Sequence, residues 1–286
     1  MSHLFLVRHG QTTSNEIRAL DTALPGADLT ELGREQATSV GRILAQRSSC
    51  LHVLSSQAAR AQQTAAQLAA SFVDFDGCLA PSGPGSAFSS FFTGKDLSSF
   101  SDATATFLAG ELGEKLAMIH GVSEIPAGNY EMKTDHDSLV GYHTILGSWM
   151  AGSVELSMPG GSTGAQVLRT YVTQLLALMA AVKVEEQMHP AGTKGSESAE
   201  IALVSHGAVI RLVARYLGAV DPEWAFQGYL QNSHFIQLEI PRNVDQLAEA
   251  IAQDFLKGYG AFTIVEWGEH GRPQPYSPQT YSPRTQ

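Results

Sequence analysis

Short apolar runs and longer amphipathic stretches alternate along this 286-residue chain. HLFLVR (3–8) is apolar and closed by Gly10, the pattern of a strand buried on both faces. In TELGREQATSVGRILAQR (30–47) Thr30 stands where a helix cap belongs, and Leu32, Val40, Ile43 and Leu44 form an apolar stripe at helical spacing. LHVLSS (51–56) reads as a second strand, and the Ala- and Gln-rich stretch 58–72 as a second helix. Residues 162–182 spell a long helix with Val167, Tyr171, Leu175 and Leu178 on one side. EIALVSH (200–206) is a third strand that again ends in histidine, and a helix follows over 207–218. Later strands at 233–240 and 261–267 flank a helix at 244–257. Strands alternating with helices predict a three-layer α/β/α sandwich with a mostly parallel central sheet.

Two stretches break that rhythm. An insertion is expected at about 74–120: a Ser-, Gly-, Pro- and Phe-rich surface run over 74–101, then a helix over 103–119. Long loops in compact domains often serve as lids, which is the functional reading of this one. The end of the chain repeats Tyr-Ser-Pro, and 269–286 reads as a disordered Pro-rich tail. The expected organisation is therefore one domain over 1–268.

Composition narrows the partners. The net charge of −10 disfavours nucleic acid or an anionic membrane as the main partner, since both call for a broad basic surface. No run of about twenty apolar residues is apparent. The first residues lack the basic start and long apolar core of a signal peptide. Cys50 and Cys78 are expected as two free thiols in a reducing compartment. The expectation is a cytoplasmic protein.

The ends of the strands carry the chemistry. Ligands of parallel α/β sheets bind outside the carboxyl ends of the strands. Arg8 and His9 stand at one such end and His206 at another, while Arg60 comes from the helix after the second strand. The polar run from Gln11 to Asn15 adds hydrogen-bonding groups on the same rim. Two arginines and two histidines at one crevice suit a tetrahedral oxyanion, because guanidinium groups offer forked, charge-assisted donors. Backbone N–H groups near Gly207 and Ala208, at a helix start, favour an anion as well. His136 and His143 lie seven apart with no third ligand at matching spacing, so a metal site is not indicated. PGGSTG (159–164) lacks the lysine of a phosphate-binding P-loop.

LVRHGQTTSN, SSQAARAQQTA and LVSHGAVIR, in that order, resemble the three signatures of the histidine phosphatase superfamily, the phosphoglycerate-mutase-like fold. LTELGREQA (29–37) is similar to the helix start after the first signature, and Pro159–Ser162 to a PGGES segment with Ser162 in the place of Glu. The resemblance implies that His9 is a nucleophile forming a phosphohistidine, and that Arg8, Arg60 and His206 hold the phosphoryl oxygens. Asn15 and Gly207 would help to bind the substrate. It places the proton donor in a segment of the L-x-E-I-x-x-G type, here Glu124, with Glu131 and Asp135 as competitors. No cofactor and no metal are implied. Mutases of the family carry extra basic residues where this chain has EIPAGNYEM, so a phosphatase acting on a small organic phosphate ester is expected. The alternatives are a phosphoglycerate mutase-type phosphotransferase and a non-catalytic phosphate-binding module.

Overall fold

In the computed structural model, which describes residues 2–82, 86–88, 110, 115–188 and 199–273, seven strands form one sheet. The strands are β1 (His3–Arg8), β2 (Cys50–Ser56), β3 (Cys78–Leu79), β4 (Ala117–Ile119), β5 (Glu200–Ser205), β6 (Phe235–Glu239) and β7 (Thr263–Trp267). Their order is β3-β2-β5-β1-β6-β7, with β4 also pairing β2. Pairings among β1 to β5 are parallel, whereas β6 runs antiparallel to both β1 and β7. Because β1 and β5 are adjacent and parallel in register, with Arg8 opposite Ser205, their carboxyl ends open side by side.

The helices are α1 (Thr13–Glu16), α2 (Glu31–Ala45), α3 (Ala59–Asp74), α4 (His136–Met150), α5 (Gly164–Met188), α6 (Gly207–Gly218), α7 (Pro222–Gln227) and α8 (Val244–Gln253). The Thr30 side chain caps α2 by accepting from the Gly33 amide. The buried stripe of α2 differs from the expected one. Val40 and Leu44 are buried with Gly33, Ala37 and Gly41, while Leu32 and Ile43 stay exposed. Small residues take their places because α3 packs very close: a methyl group at Gly41 would meet the Leu68 carbonyl at 2.4 Å.

One core cluster contains α5, α6 and one face of the sheet, and a second contains α2, α3 and residues of the other face. Helix α5 also corrects the expectation that no segment reaches spanning length. Gly164–Glu185, 22 residues, is long and apolar enough by length and composition, and 50% of its most apolar window is buried. Tyr171, Leu175 and Leu178 of the expected stripe lie in the core. Its apolarity thus belongs partly to the core face.

The insertion begins and ends in the sheet. β3 pairs with the first part of β2 and β4 with the last part, so both lie on the same edge of β2. The helix expected over 103–119 is therefore a strand at 117–119, because that segment completes the edge of β2; its earlier part lies largely outside the described residues. Of the phenylalanines in the expected surface run, Phe88 is fully buried, with its ring 4.7 Å from that of His52 on β2. Cys50 and Cys78 are register partners across β2 and β3 and form no disulfide. The first residues of the expected tail are structured: a 3-10 turn covers Gly268–His270, and the Gly271 carbonyl accepts from the Trp267 amide. The expected disorder of 274–286 lies outside the described residues.

Candidate active site

The first loop is held by backbone contact. A methyl group at Gly10 would meet the Gly33 carbonyl at 2.3 Å, so the loop after β1 and the start of α2 can touch only as glycines. The Gly10 amide donates to Thr64 Oγ1 on α3 at 3.0 Å. The far side is fixed by the 232–234 segment. The Arg8 amide donates to the His234 carbonyl, the Ser233 amide to the Arg8 carbonyl, and Asn232 Nδ2 to the His9 carbonyl. His9 thus has little freedom although it belongs to a loop.

Its hydrogen bonding sets its tautomer. His9 Nδ1 lies 2.7 Å from the Gly10 carbonyl, which can only accept, so Nδ1 carries the proton and Nε2 keeps its lone pair. Burial, then Arg60, then Arg8, hold the His9 pKa well below its usual value. His206 has the opposite arrangement. Arg60 Nε donates to its Nδ1 at 3.3 Å, so Nε2 carries the proton and donates to Ser56 Oγ at 2.7 Å. Burial, then the charge of Arg60, lower the His206 pKa as well, with Arg8 adding to them. The two rings meet edge to face with centroids 5.2 Å apart.

His9 lines a cavity of about 130 Å³ together with Arg8, Arg60, Asn15, Glu124, Gly207, Ala208 and Arg211, whereas His206 is fully buried behind it, against the His9 ring. Arg8 Nη1 donates to the Tyr229 hydroxyl at 2.7 Å and the Leu230 carbonyl at 2.6 Å, while its buried Nε has no partner. A methyl group at Gly207 would lie 2.9 Å from that Nε, which explains why glycine starts α6. Arg60 Nη1 is buried without a hydrogen bond, 3.8 Å from Asp21 Oδ1. Burial lowers the pKa of Arg60, an effect that Asp21 and Glu124 oppose.

The expected residues other than His206 line the cavity; His206 stands behind it, bonded to Arg60 and Ser56, and two further adjustments follow. Glu124 lines the cavity, and its carboxylate accepts from the Ala208 amide at 3.2 Å and the Val209 amide at 3.0 Å. The helix start expected to hold a substrate anion therefore holds Glu124. Asn15 lines the cavity, yet its Oδ1 accepts from the Thr12 amide and from Asn232 Nδ2, so it also ties the loop together. The competing carboxylates are engaged elsewhere. Glu131 accepts from the Thr22 amide and hydroxyl and the Ala23 amide. Asp135 caps α4 through the Ser138 amide. Pro159–Ser162 packs under the turn after Glu124: the Pro159 carbonyl accepts from the Asn129 amide at 2.8 Å.

Sequence reasoning missed Arg211, Asp21, Tyr142 and Tyr229, and it weighed His143 only as a metal ligand; all five line the cavity. Arg211 had a readable signal. It is a charge one turn after Gly207 on a helix that is otherwise apolar there, and it is buried. Its Nη1 donates to the Phe226 carbonyl at 2.8 Å. Asp21, Tyr142 and Tyr229 come from separate segments, and no motif marks them.

The family model described as the histidine phosphatase superfamily (branch 1) matches residues 4–74 and 101–250. Among solved structures, a mycobacterial glucosyl-3-phosphoglycerate phosphatase in complex with VO3 superposes with TM-score 0.58 at 18% identity, over 94% of this chain and 99% of that one. Mycobacterial hydrolase 2 gives TM-score 0.60 at 18% identity, over 96% and 93%. A phosphoserine phosphatase of Entamoeba histolytica, solved with 3-phosphoglyceric acid, gives 0.51 at 21%, over 97% and 96%. The PE-PGRS family protein PE_PGRS11 of Mycobacterium tuberculosis is 48% identical over 63 residues, which are 22% of this chain and 11% of that protein. The family match covers well over half of the chain, and the solved structures share its fold. This chain belongs to the histidine phosphatase superfamily.

Proposed function

We propose that the chain hydrolyses a small organic phosphomonoester through a phosphohistidine on His9, without a metal ion. The observation that carries this reading is the tautomer of His9: with Nδ1–H held by the Gly10 carbonyl, Nε2 offers its lone pair at a cavity lined by Arg8, Arg60 and Arg211. The lowered His9 pKa keeps that nitrogen unprotonated.

The steps follow from these positions. The arginines take up the negative charge of the phosphoryl oxygens, the role that a cation fills in other phosphoryl transfers. His9 Nε2 forms a bond to phosphorus as the ester P–O bond breaks, and Glu124 gives a proton to the departing alkoxide. Water then attacks phosphorus, the P–N bond breaks, and Glu124 takes a proton from that water. Inorganic phosphate leaves and the enzyme is restored. His206, whose ring is held by Ser56, accepts from Arg60 Nε and so keeps that guanidinium in place through the transfer.

The test is label trapping. Brief incubation with a ³²P-labelled monoester and rapid quenching should give an acid-labile, base-stable label on the wild-type chain and none on His9→Ala. The variant should lose turnover but keep its circular dichroism spectrum. Near-normal turnover by His9→Ala would overturn the reading.

A further inference from the structure

The phosphate cavity is small, and it does not end at the phosphate. At about 130 Å³ it has little room beyond a phosphoryl group, compared with the roughly 300 Å³ or more of ordinary small-molecule sites. His143, on α4, lines that cavity and also lines a shallow groove of about 570 Å³ on the outer side of the same helix. The other lining residues of the groove are Val140, Thr144, Gly147, Ser148, Ala151 and Phe226.

Two features make this groove a place for the rest of the substrate. The first is attachment. The Phe226 carbonyl accepts from Arg211, and Arg211 lines the phosphate cavity, so one wall of the groove is tied to the phosphate-binding cluster. The second is chemistry. No Lys, Arg, Asp or Glu lines the groove, and His143 is its only titratable group. Val140 is 49% exposed and Phe226 38%, so both offer apolar surface. Gly147 leaves open the space over the Phe226 ring: a methyl group there would sit 3.3 Å from it. The guanidiniums of Arg8, Arg60 and Arg211 line the phosphate cavity and not the groove.

We infer that the groove along α4 holds the leaving group of the ester, and that this group is an uncharged alcohol with an apolar body. A leaving group bearing a carboxylate or a second phosphate would meet no Lys or Arg side chain there. Its charge would lose water without gaining a partner. The inference rests on the phosphatase reading, because the phosphoryl group in the cavity fixes where the ester oxygen emerges.

The experiment compares three esters of primary alcohols, so that leaving-group basicity stays similar: methyl phosphate, 2-phenylethyl phosphate and 3-phosphoglycerate. The phenylethyl ester should have a kcat/KM at least about tenfold above the other two, in the range that pocket contacts with one or two apolar groups supply. Val140→Asp and Phe226→Ala should each remove most of that advantage through KM, leaving methyl phosphate unchanged. Both side chains are partly exposed, so the fold should survive either change. Preference for 3-phosphoglycerate, or equal losses on methyl phosphate, would overturn the groove assignment while leaving the phosphatase reading intact. Failure to hydrolyse any of the three, with no label trapped on His9, would overturn both.

Discussion

His9 and His206 have the same side chain and pack edge to face, both buried, yet they carry the proton on different nitrogens. The difference comes from neighbours: a carbonyl next to His9, an arginine next to His206. Glu124, Glu131 and Asp135 sort in the same way. Only Glu124 reaches the cavity, whereas Glu131 holds Thr22 and Ala23 in place and Asp135 caps a helix. Glu124→Gln should therefore slow alkyl phosphates by about 10² to 10⁴, the usual worth of general-acid assistance. It should slow p-nitrophenyl phosphate far less, since that leaving group departs without a proton. Glu131→Gln should loosen the 20–23 loop and slow both esters alike. Turnover of the two esters by each variant checks this, and leaving-group dependence at Glu131 would reassign the acid. Arg8, His9, Arg60 and His206 were readable because each sits at a strand end or a helix start inside a motif. Arg211 had only the hint of a charge in an apolar run. Tyr229 and Asp21 had none, since a cavity wall built from distant loops leaves no local pattern.

At the level of elements, the alternating pattern marked the principal strands and helices, and Thr30 marked a helix start correctly. The outer edge of β2 was missed. β3 and β4 are two and three residues long, too short for a period-2 signal. Phe88, from the segment between them, packs its ring against His52. That contact has a measurable consequence. Burial lowers the His52 pKa from 6.5 to about 4. Below pH 6.5 the unfolded chain therefore binds a proton that the folded chain refuses. The stability present above pH 6.5 falls as the pH drops, and the full loss from this residue, about 3 kcal/mol, is reached near pH 4. His52→Gln cannot titrate and keeps a polar group near Ser82, which bonds His52 Nδ1 at 3.0 Å. Urea unfolding at pH 7 and pH 4 should show a smaller acid loss in the variant by about that amount. Equal losses in both proteins would mean that this edge opens before it titrates.

For the molecule as a whole, the charge balance is uneven. The net charge is −10, yet three arginines converge on one cavity, each of them at most 7% exposed. Burial lowers the pKa of both Arg60 and Arg211. Asp21 and Glu124 offset part of that cost, but Arg8 Nε and Arg60 Nη1 remain without hydrogen bonds. Buried donors without acceptors are destabilising until a ligand satisfies them. A phosphate-like anion should therefore stabilise the folded chain directly, with no cation between anion and protein. Vanadate, which takes up the five-coordinate geometry of in-line transfer, should do so at lower concentration than inorganic phosphate. At one hundred times its dissociation constant a ligand adds about 2.7 kcal/mol, a rise in Tm of roughly 5–10 °C for a domain of this size. The rise should persist in excess chelator, and ester hydrolysis should persist with it. Arg60→Ala should melt close to the unliganded wild type but lose most of the vanadate-induced rise, because the anion then meets two guanidiniums instead of three. A rise that disappears with chelator and returns with magnesium or zinc would show that a metal ion, and not the arginine cluster, carries the charge.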